Sequence, residues 1–325
     1  MKGALGFFLN IVNTLKGIPT QKKKIIAKAC IETVGLYGTE IMTNQEKCEK
    51  IIENIEIIQR KFIRSLLKAN QNVANEIIML ELGMTSVRSL MDLRLLKFRQ
   101  RMLQEKDTLN EAIHIENKTR NLPWEKRCKE IMSKYNIEDY KETNNSSEWL
   151  KASVKKIKET NIERQKEILK NKITAELYLA ITKDRNTEML PIYLTHNSNM
   201  TLGTGLIFQM RSGSNFTKHC KYLRHQSTDQ KCPYCQHWAE NEKHVIEDCN
   251  EYKTERHEME NELKKYANEE TKNFSLSHIV LWNEEFEKTL RENHNKQEII
   301  KIDREIKNFI TKIYYKRRKL TRAGQ

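Results

Sequence analysis

Apolar residues recur at three- and four-residue steps along much of the chain, the repeat of helices that bury one face. The clearest run is "CEKIIENIEIIQRKFIRSLLKA", where Cys48, Ile51, Ile55, Ile58, Phe62 and Leu66 share a stripe. Thr43 and Glu46, just ahead of it, read as a capping box. Before it, Ile25, Ile26, Cys30 and Val34 keep a helical period, and Gly38 is placed to end that helix. After it, "ELGMTSVRSLMDLRLLKFRQRML" predicts a turn at Gly83, a cap at Thr85 or Ser86, and a helix with Met91, Leu95, Phe98 and Met102 on one face. Arg88, Arg94, Lys97, Arg99 and Arg101 line its other faces. The opening "MKGALGFFLNIV" imitates a signal peptide but lacks a small-residue cleavage site, and Asn10, Asn13 and Lys16 interrupt it. It reads as an amphipathic first helix.

From about 106 to 150 the period weakens. "NIEDYKETNNSSEWL" reads as loop, with Trp124 and Trp149 as anchors. Helical period returns from Ser147, a candidate cap. The "GTG" at Gly203 to Gly205 lacks the spacing of a phosphate loop and reads as turn chemistry. A last helix carries Ile299, Ile302, Ile306, Phe309 and Ile313, with "KIDREIK" as a solvated face and "KIYYKRRKL" at its end. The expectation is a mainly α chain. An N-terminal helical bundle spans 1–106, a polar linker with little regular structure 107–150, and a helical connector 151–215. A small cysteine- and histidine-rich module follows at 216–260, then basic C-terminal helices at 261–325.

Composition agrees: only 4 prolines and 10 glycines occur in 325 residues. The net charge of +14 points to polyanionic partners, nucleic acid before an acidic membrane surface. Solvated lysines account for such an excess equally simply. No apolar run reaches the roughly 20 residues that span a bilayer. Cys30, Cys48 and Cys128 sit singly in apolar helical patterns, without a disulfide framework, which favours a reducing, intracellular setting.

Three of the seven cysteines crowd into "KCPYCQHWAENEKHVIEDCNEY", which begins at Lys231. Cys232, Cys235, His244 and Cys249 have the spacing C-x2-C-x8-H-x4-C. Two cysteines separated by two residues turn both sulfurs toward one point, helped by Pro233. His244 would begin a short helix and Cys249 lie just past its end. Three thiolates and an imidazole complete a closed tetrahedral zinc site of the structural type. Lys231, Lys243 and Arg224 are near enough in sequence to offset its surplus negative charge. His237 is an alternative to His244. Cys220, His219 and His225 either support the site or are plain structural residues. Trp238 either stacks on bases or covers the metal.

The segment from Arg211 to Arg256 resembles the C-terminal zinc-knuckle region of non-LTR retrotransposon reverse transcriptases. The likeness is carried by Arg211 and Gly213, the Cys232–Cys235 pair, Glu240 with His244, and Cys249 with Tyr252. Upstream, Tyr37, Gly38 and Glu40, "IIQRKFIRSLL" and "ELGMTSVRSL" are similar to that family's thumb-side helices. The resemblance implies that Cys232, Cys235, His244 and Cys249 hold a structural Zn2+, and that this end of the protein grips RNA or DNA. Polymerase activity needs adjacent palm aspartates, and this chain has no Asp-Asp pair. It also lacks the Pro-Asp of the endonuclease that follows the knuckle in some relatives.

The expectation is therefore a non-catalytic, zinc-stabilised nucleic-acid-binding protein without a membrane partner. A polymerase part from a separate chain is a further possible partner. Phosphate contacts are expected at Lys22, Lys23, Lys24, Arg94, Lys97, Arg101, Lys316, Arg317, Arg318 and Lys319, with Trp238 as a stacking ring. The run 316–319 also reads as a nuclear-import patch, which favours the nucleus over the cytoplasm, or as a helix end favoured by the dipole. The alternatives are a helical protein-interaction module with a purely structural zinc, or an incomplete fragment of a reverse transcriptase.

Overall fold

The computed structural model describes residues 19–29, 33–42, 45–104, 109–139, 146–183, 189–195 and 202–323. The expected first helix, Cys30 and Thr43 of the expected cap lie outside the described residues. The chain is mainly helical, with no strand among the described residues. Among the described residues, no helix is long and apolar enough to cross a membrane. The main helices are α1 (Thr20–Ala27), α2 (Gln45–Leu67), α3 (Asn75–Glu81), α4 (Val87–Gln104), α5 (Leu109–Thr119), α6 (Pro123–Lys134), α7 (Ser146–Lys170), α8 (Glu176–Ile181), α9 (Leu202–Arg211), α10 (Lys218–Leu223), α11 (Lys253–Leu263), α12 (Glu284–Asn293) and α13 (Lys296–Ala323). They group into two compact units. One comprises the described parts of 24–62 and 83–165, the other those of 15–23, 63–82 and 166–325.

In the first unit the α2 stripe is core: Cys48, Ile52 and Ile55 are buried with Leu36, Val87 and Met91. Ser86 caps α4, its Oγ accepting from Ser89 N at 3.2 Å. Gly38 and Gly83 take φ of 74° and 56°, the left-handed turns expected of glycine there. Two expectations need correction. The segment 107–150 is not a structureless linker: α5 and α6 occupy it, and Trp124, Cys128, Ile131 and Met132 are buried. Their stripe was hard to read because it runs through only 12 residues of α6, among several charges. Both tryptophans do anchor, Trp124 Nε1 donating to the Glu40 carbonyl at 3.0 Å and Trp149 Nε1 to Glu138 at 2.8 Å. Arg99 is also not on an outer face. It is 2% exposed and paired with Asp139 at 2.5 Å and Glu125 at 3.4 Å.

The second unit is organised on α13. Ile299, Ile302, Ile306, Phe309 and Ile313 are buried as expected, each worth about 1.5–3 kcal/mol relative to exposure. The "GTG" is not a turn. Gly203 and Gly205 lie within α9, which packs on α13. A Cβ on Gly203 would stand 2.8 Å from both Cβ and the carbonyl oxygen of Lys307, so the glycine permits the close crossing. "KIDREIK" is likewise not a solvated face: Asp303 is 1% and Lys307 5% exposed, and they pair at 2.6 Å. Burial raises the Asp303 carboxyl to about 6, against the opposing pull of Lys307.

Candidate metal centre

The donors are collected by local backbone geometry. Cys232 N donates to His237 O at 2.9 Å and Gln236 N to Cys232 O at 3.0 Å, closing a tight turn around Pro233. Gln236 takes a left-handed φ of 60° to complete it. Asn241 Oδ1 accepts from His244 N at 2.8 Å and so starts a π-helical turn, His244–Asp248. Cys249 follows directly, its N–H donating to His244 O at 2.8 Å. One donor atom from each of Cys232, Cys235, His244 and Cys249 then lies within 4.8 Å of every other.

The distances suit one ion. Cys232 Sγ is 3.9 Å and Cys235 Sγ 4.0 Å from Cys249 Sγ, and His244 Nε2 is 3.2 Å from Cys235 Sγ. A regular tetrahedron with ordinary zinc–ligand bonds has edges of about 3.8 Å between sulfurs and about 3.5 Å from sulfur to nitrogen. The geometry selects His244 over His237, whose Nδ1 sits 2.9 Å from the Ala239 carbonyl. The His237 ring instead stacks on His244 at 4.4 Å and 7°. Four protein donors close the shell, which is the arrangement of a structural rather than a hydrolytic centre.

Burial raises the Cys232 thiol and pushes Cys249 up to about 12, so without metal both keep their protons. Burial, then the neighbouring His237, lowers His244, leaving its ring neutral and able to ligate at pH 7. A divalent ion would hold the thiolates deprotonated and couple binding to proton release. His244 Nδ1 is buried with no hydrogen-bond partner among the described residues, so the acceptor that usually orients a ligating histidine is replaced here by ring stacking.

Around the donors, the resemblance singles out Glu240, Tyr252, Arg211 and Gly213, whereas nothing in the sequence singles out Arg256 or the tie from Glu240 to Arg317. Arg256 Nε donates to Ile246 O at 2.7 Å and Nη2 to Cys249 O at 2.9 Å, fixing both ends of the turn. Glu240 is fully buried; its Oε2 accepts from Lys218 N at 2.7 Å and from Arg317 Nη2 at 2.9 Å, tying α10 and α13 to the metal loop. The Arg317 guanidinium lies 5.4 Å from the Phe216 ring centre and 5.7 Å from that of Tyr234. Tyr252 is buried against Tyr234, ring centres 6.1 Å apart. Arg211 is 1% exposed and joins Glu81 at 2.8 Å in a buried network with Tyr178 and Tyr193. Gly213, at φ 59°, passes the Thr174 carbonyl where a Cβ would come within 2.5 Å. Cys220 is buried and donates to Gly213 O at 2.8 Å, and the His219 ring meets Gln230 at 2.8 Å, so neither supports the metal directly.

The expected phosphate contacts divide. Lys22, Lys97, Arg101, Arg318 and Lys319 are exposed, and Lys23 and Arg94 half-buried. Arg318 lies 5.9 Å from the Tyr314 ring centre. Lys24 is a correction: it is buried and donates to Gly83 O at 2.9 Å. Arg317 is another, because its guanidinium is consumed by Glu240. Lys316 pairs with Glu255 at 3.1 Å and Glu251 at 3.5 Å. Trp238 is 65% exposed, and its ring centre lies 5.7 Å from that of His237, the ring that stacks on His244. No family model, curated protein or solved structure matches the chain.

Proposed function

We propose that the protein is a non-catalytic, zinc-stabilised nucleic-acid-binding protein. The observation that carries the reading is Trp238: a large planar ring, 65% exposed, beside a loop that four metal donors fix, in a chain of net charge +14. An exposed tryptophan ring costs apolar surface in water; a base stacking on its open face recovers about 1–3 kcal/mol. In the same unit as Trp238, exposed Arg318 and Lys319 supply cations for a phosphate backbone; exposed Lys97 and Arg101 offer cations separately on the other unit. The resemblance to the knuckle region of non-LTR reverse transcriptases points the same way, toward RNA or DNA held but neither copied nor cut.

A specific observation favours a second reading, a protein-interaction module with a purely structural zinc. Lys24 and Arg317, two of the expected phosphate contacts, are used inside the fold. Titration of labelled single-stranded RNA and DNA at two salt concentrations separates the readings. Nucleic-acid binding gives an affinity that falls with salt, by about 0.7 in log–log slope per phosphate neutralised, and Trp238→Ala weakens it. Absence of salt-sensitive binding by the zinc-loaded chain sinks the proposal and leaves the second reading. Metal analysis should give one zinc per chain, removed by chelation with loss of helical circular dichroism.

A further inference from the structure

The three thiols of the metal centre differ in access. Cys232 and Cys249 are fully buried, whereas Cys235 is exposed. Cys249 Sγ stands 4.0 Å from Cys235 Sγ, so an oxidised Cys235 has a second sulfur within contact distance. The other described cysteines, Cys48, Cys128 and Cys220, are buried. A small oxidant arriving from solvent therefore meets one sulfur of the centre first, and that sulfur is placed to be captured by a neighbour. Susceptibility to oxidation follows thiolate character and exposure, and coordination supplies the first while position 235 supplies the second.

We propose that Cys235 is a peroxide-reactive site and that its conversion to a disulfide with Cys249 dismantles the metal centre. The inference rests on the zinc reading of the four donors. The Cys235 thiolate attacks one oxygen of a hydroperoxide; an S–O bond forms, the O–O bond breaks, and the departing hydroxide takes up a proton to leave as water. The Cys249 thiolate then attacks the Cys235 sulfur; the S–S bond forms, the S–O bond breaks, and a second hydroxide leaves as water. Two thiolates give up two electrons, the peroxide accepts them, and two protons are consumed. Cys232 and His244 remain, half of the donor set, and the ion departs. With it goes the constraint on the turn that Arg256 braces and on the loop that Glu240 ties to α13 through Arg317. Redox state thereby governs whether the Trp238 loop is held.

The test is a hydrogen peroxide titration of the zinc-loaded full chain. Zinc release is followed with a chromogenic chelator, a dimedone probe traps sulfenic acid, and peptide mapping locates adducts and disulfides. The expected result is release of the bound zinc, the first adduct on Cys235, a Cys235–Cys249 disulfide, and recovery with dithiothreitol plus zinc. Cys235→His keeps a four-donor set without the exposed sulfur and should lose zinc at least about tenfold more slowly. A first adduct on Cys232 or Cys249, zinc retained in the oxidised wild type, or Cys235→His releasing metal at the wild-type rate each overturns the proposal. If that variant does not load zinc, the adduct position in the wild type still decides. A chain that purifies with no zinc defeats the metal reading itself. One zinc per chain with an unreactive Cys235 defeats this inference alone.

Discussion

Replacing Arg317 by methionine separates an internal tie from a phosphate contact. Arg317 and Glu240 have side chains 9% and 0% exposed, so removal of the guanidinium strands a buried carboxylate that keeps the neutral backbone N–H of Lys218 as a donor but loses its cation. Breaking one side of a buried pair costs about 3–5 kcal/mol, because the orphaned charge stays desolvated. Methionine keeps an unbranched apolar stem against Phe216 and Tyr234, so most of the loss is electrostatic. In urea denaturation of the zinc-loaded chain, Arg317→Met should lower stability by about 3–5 kcal/mol. Lys319→Ala, at an exposed position, should stay within about 0.5 kcal/mol of wild type. The double variant Arg317→Met, Glu240→Gln should recover at least about 1 kcal/mol over the single one, since a neutral amide is left in place of the charge. Two results refute the reasoning: an Arg317→Met transition indistinguishable from wild type, or a double variant no more stable than the single.

Three further outcomes follow from the same geometry. Gly203→Ala should cost about 1–3 kcal/mol by forcing α9 from the Lys307 backbone, whereas Gly205→Ala, whose Cβ meets nothing within 4 Å, should gain about 0.5–1 kcal/mol of helix propensity; thermal melts of the two compare them directly. The Asp303 carboxyl is raised from 3.8 to about 6 by burial, so the folded chain binds its proton more tightly than the unfolded chain. Its contribution to stability is present below about pH 4 and lost as pH rises through about 6, by up to roughly 3 kcal/mol. Asp303→Asn should remove that part of the pH profile, and parallel profiles for variant and wild type would contradict it. Zinc binding at pH 7 should release at least two protons, one each from the raised Cys232 and Cys249 thiols. Calorimetry in buffers of different ionisation enthalpy counts them, and a count near zero would mean that these sulfurs do not ligate.

What the sequence determined by itself was local. Helical periods are set by neighbours three and four residues apart, so the α2 and α13 stripes, the turns at Gly38 and Gly83 and a cap at Thr85 or Ser86 were legible, the structure placing that cap at Ser86. The cysteine donors were legible for the same reason, since Cys232 to Cys249 spans one turn and one short helix; the choice of His244 over His237 was left to the structure. Tertiary structure decided the fate of the charges. Whether a long cation reaches solvent depends on an acid or carbonyl far away in the chain, as Glu240 is from Arg317, Gly83 from Lys24 and Glu125 from Arg99. An arginine that reads as a basic patch is then spent on a buried carboxylate. The two α9 glycines behaved likewise. Their spacing resembled a turn, and only the approach of α13 gave Gly203 its role, because close packing between helices is a property of two surfaces and is written on neither alone.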